Sequence, residues 1–169
     1  MLFSTKAEYG VRLMVELGRQ PAERPASLSS VAAAENLPLS YLEHLVAKLR
    51  KADLVCSTRG AHGGYRLARP AEQITMAEVV EALEGPIAPM ECFYEEPAGK
   101  VQCSHREDGN QACATKLLWT RVQGGINRAL VGTTLAELVH FGESAPAIET
   151  PLPLSKEHRN GVPETNVRP

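Results

Sequence analysis

No long apolar run occurs anywhere in this chain of 169 residues: the longest unbroken aliphatic stretch, Val31 to Ala34, is far short of the roughly 18 residues that a membrane span needs. The stretch Tyr9 to Leu17 is broken by Arg12 and Glu16, and no small-residue cleavage site follows it, so no secretion signal is expected and a cytoplasmic location is. Cysteine is scarce too. Four in the whole chain cannot build a disulfide-rich scaffold, and 43% hydrophobic with 22% charged residues excludes collagen-like and disordered classes. Three of the four, Cys92, Cys103 and Cys113, nevertheless fall close together, a grouping that points to metal chemistry before disulfides. Net charge is −2, but residues 1–70 hold ten Lys/Arg against six Asp/Glu, while the remainder is acidic. A basic N-terminal half is compatible with phosphate contacts and equally with an inert surface.

Helical spacing organises the first half of the chain. Ser4 or Thr5 can cap a helix with Ala7, Val11, Met14 and Leu17 on one stripe, ending near Gly18. Ser27 can cap a short helix bearing Leu28, Val31 and Ala32, which Asn36-Leu37-Pro38 breaks, and Ser40 is expected to cap the next. That helix buries Leu42, Leu45, Val46 and Leu49 and leaves a polar face, the pattern of a helix-turn-helix. Leu54 to Arg59 and Tyr65 to Ala68 form a hairpin across Gly60-Ala61-His62-Gly63-Gly64, whose glycines can take positive φ. Thr75 with Glu78 makes a capping box for a helix through Glu84, stopped by Gly85-Pro86. Further on, Leu118, Val122, Ile126, Ala129 and Leu130 mark a long helix over 112–131, in which Gly124-Gly125 would permit close helix approach. Thr134 and Glu137 box a last helix ending near Phe141.

The expected architecture is mostly α with a small β-hairpin wing: a winged helix-turn-helix plus a long dimerisation helix. Its parts are a DNA-binding domain at 1–86, a cysteine-bearing loop at 87–111, the dimerisation and short C-terminal helices at 112–141, and a disordered tail at 142–169. In such a module the start of the second helix enters the major groove, and here that start carries Ser40, Tyr41, Glu43 and His44. Arg59, His62, Arg66 and Arg69 of the wing can reach phosphates or a minor groove, and the glycines let the backbone approach.

Three segments carry a family resemblance: Ser4-Thr5-Lys6-Ala7-Glu8-Tyr9, Leu39-Ser40-Tyr41-Leu42-Glu43, and Arg59-Gly60-Ala61-His62-Gly63-Gly64-Tyr65. In this order and ahead of three cysteines, they closely resemble the Rrf-type (IscR/NsrR/RirA-like) family of bacterial transcription regulators over residues 1–141. The resemblance implies a homodimeric DNA-binding regulator, with repression as its expected output, that binds a double-stranded operator and takes no small-molecule substrate. It implies recognition contacts at Ser40, Tyr41 and Glu43, a wing residue at Arg59 beside Gly60 and His62, and a 2Fe-2S or 4Fe-4S cluster held by Cys92, Cys103 and Cys113. Such a cluster would report iron supply, cluster status, nitric oxide or redox state.

The residues themselves leave the metal question wider. Thiolates suit iron-sulfur clusters and zinc alike, and ten and then nine residues between the cysteines do not match a compact zinc motif, so cluster, zinc and unliganded thiols all stay open on spacing alone. Lys116 stands where one branch of the family has a histidine ligand, and a protonated amine cannot ligate iron. Glu8 from the partner subunit or His105 could complete the site; a solvated role for each is equally open. Cys56 reads as a small buried hydrophobe and Trp119 as core or dimer packing. The alternatives are a zinc-stabilised regulator without a cluster and a thiol or zinc-dependent redox enzyme, but no acid or base motif accompanies Cys103 and His105.

Overall fold

A computed structural model describes residues 4–60, 63–87 and 114–144. Cys92, Cys103, His105 and Cys113 lie outside the described residues, as do His62 and the segment 145–169. The elements run α1 (Thr5–Arg19), α2 (Leu28–Glu35), α3 (Leu39–Lys51), β1 (Val55–Thr58), β2 (Gly64–Leu67), a 3-10 turn (Ala71–Gln73), α4 (Met76–Glu84), α5 (Ala114–Gly132) and α6 (Leu135–Ser144). The mostly helical fold with one hairpin is the expected one.

Helix α1 is the hub, touching α2, α3, α4, α6 and β2. Leu13 and Met14 are fully buried on it, so the inward stripe is centred closer to Leu13 than to the half-buried Val11 of the expected pattern. They join Leu42 and Leu49 of α3, Leu54, Ile74, and Val79 and Leu83 of α4 in one apolar cluster. Burying such side chains contributes about 1.5–3 kcal/mol each. Leu135 of α6 is fully buried in the same cluster, held by antiparallel pairing in which Met76 N donates to Thr133 O (2.9 Å) and Leu135 N to Ile74 O (2.8 Å). The core thus crosses the position near 86 at which the sequence pattern changes.

Helix ends follow the side-chain chemistry, with one correction. Ser4 accepts from Lys6 N (3.1 Å), Ser27 from Ser30 N (3.0 Å), and the capping boxes Thr75/Glu78 and Thr134/Glu137 both form. Helix α6 runs on to Ser144, past the expected end near Phe141. Ser40 is not the cap of α3: the helix starts at Leu39 with Pro38 as N-cap and no side-chain cap, and the Pro38 carbonyl accepts from Tyr41 N (3.1 Å) and Leu42 N (3.2 Å). Proline has no N–H to leave unsatisfied there. Buried Leu37 and Leu42, at the N′ and N4 positions, occupy the places of a hydrophobic staple that fixes the entry angle instead. Asn36, in the left-handed conformation at φ 52°, closes α2 one turn earlier.

The hairpin pairs Val55 with Leu67 through Thr58 with Gly64, and Tyr65 also bridges Ala26 (N to O 2.8 and 2.9 Å), pinning the wing to the loop before α2. Gly60 takes φ +116° as expected. Gly64 meets a different need, since a Cβ there would run into the Ala26 carbonyl.

At the opposite end of the core, Glu84 of α4 accepts from the Ser4 hydroxyl and backbone N–H. The Ser4 hydroxyl is the main reason its pKa is lowered, against a smaller opposing effect of burial. Being depressed, this pKa adds stability above the ordinary glutamate value of about 4.5 that is lost as pH falls through the folded-state value. Glu84 is exposed, so solvent screens the contribution.

A methyl placed on Gly10 of α1 would overlap Leu83 Cδ1, and Leu83 is itself buried. Gly10→Ala is therefore expected to destabilise the protein by about 1–3 kcal/mol in urea unfolding, despite alanine's better helix propensity.

Candidate nucleic-acid interface

Four apolar residues of α3, Leu42, Leu45, Val46 and Leu49, face the core, and Leu39, Ser40, Glu43, His44, Ala47 and Arg50 are exposed. Ser40, Glu43 and His44 stand at i, i+3 and i+4, which places them on one side of the helix at its N-terminal end. The three make an exposed polar patch at the start of α3.

Tyr41 behaves differently from its neighbours. It is half-buried, its ring meets Tyr9 of α1 edge-on at 5.7 Å and 83°, and its hydroxyl lies 3.4 Å from Thr5 Oγ1. The Arg12 guanidinium sits over the Tyr9 ring at 5.9 Å and donates to Glu35 Oε2 (2.9 Å) and to the Glu35 carbonyl at the end of α2. One connected set of contacts thus ties α1, α2 and the first turn of α3 together. At the other end of α3, Lys48 Nζ donates to Leu83 O (2.8 Å) and caps α4. Nothing in the spacing of Tyr9, Arg12 or Lys48 marks these roles; a search for aromatic and ionic pairs between helices could have suggested the first two.

Arg59 follows β1 directly and is exposed; among the described residues no carboxylate pairs with it. Gly60 beside it is open to solvent, with nothing near its Cβ position. Arg69, by contrast, is bound to Glu78 and to Gln73 O (3.1 Å), a structural placement. Cys56 is half-buried, not buried as expected, its Sγ 3.7 Å from Arg66 O and Leu67 O on the paired strand. A two-stranded hairpin has an open face, which is why its middle residues stay partly wet.

Helix α5 begins one residue after Cys113. Trp119, Gln123, Ile126 and Leu130 are its half-buried side, α4 is its packing partner, and Gln123 Nε2 holds Ile87 O at 2.9 Å. The rest of the expected stripe turns outward: Leu118 is 56% exposed and Val122 37%, and Ala129 and Gly125 continue their ridge. Near the far end of the helix, Leu130 lines an open groove with Ser4, Glu8, Val11, Arg12 and Val80. Glu8 is exposed there, about 24 Å along α5 from Ala114. Among the described residues no three His, Cys, Asp or Glu side chains are grouped to hold a metal, and no helix is long and apolar enough to cross a membrane.

Two helices meeting at a tight turn, the second with an exposed polar start, followed by a hairpin carrying arginine at its bend, define a winged helix-turn-helix DNA-binding regulator. The family model described as Rrf2, iron-dependent transcriptional regulator, matches residues 3–141, and the chain belongs to that family. It is 40% identical over 141 residues to the HTH-type transcriptional regulator CymR of Bacillus subtilis, covering 83% of this chain and 91% of the relative. Identity to the HTH-type transcriptional regulator IscR of Sodalis glossinidius is 31% over 169 residues, covering 100% of this chain and 94% of the relative. Among solved structures, CymR (YrzC), the global cysteine regulator of B. subtilis, matches with TM-score 0.68 at 36% identity over 83% of this chain and 98% of that one. IscR of T. potens matches with TM-score 0.69 at 34% identity over 89% and 94%. The chain is a DNA-binding transcription regulator and not an enzyme, which removes the redox-enzyme alternative.

The Tyr9–Tyr41 contact yields a measurable coupling. A double-mutant cycle combining Tyr9→Leu and Tyr41→Leu is expected to return about 0.5–1.5 kcal/mol in denaturant unfolding, and additive single effects would show that the rings do not interact.

Proposed function

We propose that this regulator works as a homodimer whose operator binding is controlled by an iron-sulfur cluster on Cys92, Cys103 and Cys113. The observation that carries the reading is the placement of α5. Its head follows Cys113, its outward residues Leu118, Val122 and Ala129 are exposed with half-buried Gly125 between them, and its far end abuts the groove holding Glu8. An uncovered apolar ridge with small residues in it suits a second copy of the same helix across a two-fold axis, and such symmetry suits a palindromic operator. Were the two copies antiparallel, the head of one α5 would approach the far end of the other. The groove that holds Glu8 is about 24 Å along α5 from Ala114 of its own chain, so that arrangement favours Glu8 of the partner over a same-chain role; His105 is the other candidate ligand.

The donor set fits the group: three thiolates are soft ligands suited to iron, and Cys113 at a helix start has the dipole favouring its ionised form. A bound 2Fe-2S or 4Fe-4S cluster would supply a group that is assembled, lost or altered as iron, oxidant or nitric oxide varies. The chain's own residues do the rest. The cysteine bonds order the loop, Cys113 joins it to α5, and Gln123 joins α5 to the end of the α4 segment through Ile87. Ser40 and Glu43 read base edges, Tyr41 holds the start of α3 against α1, and Arg59, Gly60 and His62 approach the backbone and minor groove. A cytoplasmic site of action goes with this reading. The similarity to CymR, a global cysteine regulator, favours a second one, a regulator without a cluster whose cysteines are unliganded or hold zinc.

Anaerobically purified protein is expected to show visible charge-transfer bands, with iron and sulfide lost in Cys92→Ala, Cys103→Ala and Cys113→Ala and kept in Cys56→Ala. Holo and apo forms should differ in operator affinity by about 1–3 kcal/mol. Colourless, iron-free protein with full operator affinity would establish the second reading instead. For the dimer, sedimentation at micromolar concentration should give two chains per particle, and Leu118→Asp with Val122→Asp should give one; a wild-type monomer would overturn the assignment of α5.

A further inference from the structure

Leu39, the first residue of α3, is 42% exposed, the side chain of a large apolar residue left part in solvent. It belongs neither to the core cluster nor to the partly buried residues packed on it. Buried Leu37 and Leu42 already hold the staple positions at the helix entrance. Alanine would serve the helix at least as well. Leu39 stands four residues before Glu43, and Glu43 four before Ala47, so the three form a single exposed ridge with Ser40 beside it.

Polar members of that ridge have obvious counterparts on base edges: a glutamate accepts from the N4 amine of cytosine, and a serine hydroxyl donates or accepts. An apolar member needs an apolar counterpart. On the floor of the major groove that counterpart is the 5-methyl group of thymine. We propose that Leu39 is a specificity-determining residue that reads a thymine methyl in each half-site, an inference that rests on α3 being the base-reading helix. One helical turn separates Leu39 from Glu43, about 6 Å along the axis, so the thymine lies within about two base steps of the base that Glu43 contacts.

The test uses full-length, anaerobically purified protein and duplexes selected by it from a randomised pool, with each thymine of the half-site replaced in turn by deoxyuridine, which removes only the methyl. At one position wild type should lose about fourfold in affinity per methyl, Leu39→Ala should lose nothing further there, and Leu39→Met should respond like wild type. Thermal unfolding of Leu39→Ala should match wild type. The proposal is overturned if Leu39→Ala keeps the wild-type sensitivity at every position, or if wild type has none. Glu43→Ala separates the two levels of failure: unchanged base preference in that variant would mean that α3 does not read bases at all.

Discussion

Contact between Gly10 and Leu83 fixes how closely α1 and α4 approach, and most of the protein is arranged around that approach. With α4 drawn in, Leu83 reaches the cluster of Leu13, Met14 and Leu49, and the two ends of α4 become available to other elements. Its start pairs with the strand-like segment before α6, bringing Leu135 into the core. Its end receives Lys48 from α3 and Ser4 from the start of α1. Helix α3, proposed above as the base-reading helix, is therefore positioned from behind by α1 and α4.

Much of this was legible because local chemistry and burial agree. Helical spacing and small polar caps located α1, α2 and α4, and the two Thr-x-x-Glu boxes formed as written in the sequence. Where they disagreed, burial won. Ser40 is a good cap by composition, yet Pro38 holds the position because Leu37 and Leu42 must both be buried across the helix entrance. The outward face of α5 was only half legible: a stripe of five apolar residues says that something covers it, whereas which members meet α4 depends on the path of the chain after residue 86. Tyr41 shows the same boundary at the candidate site. The motif marks it alongside Ser40 and Glu43, but its half-burial against Tyr9 assigns it a supporting part that no spacing rule contains.

The division of labour along α3 follows from that support. Its buried side and its two polar ties, at Tyr41 and Lys48, restrain position and tilt, leaving the exposed ridge without internal duties. Residues with no internal duty can vary at little cost to the fold.

Internal engagement of the cations also bears on electrolyte sensitivity. Ten Lys and Arg residues stand within 1–70, but Arg12 and Arg19 are paired with carboxylates of α1 and α2, Arg69 with Glu78, and Lys48 with a helix end. Within 1–70 six cations remain outside those pairs, and each counterion that a cation displaces from a phosphate backbone steepens the fall of affinity with ionic strength.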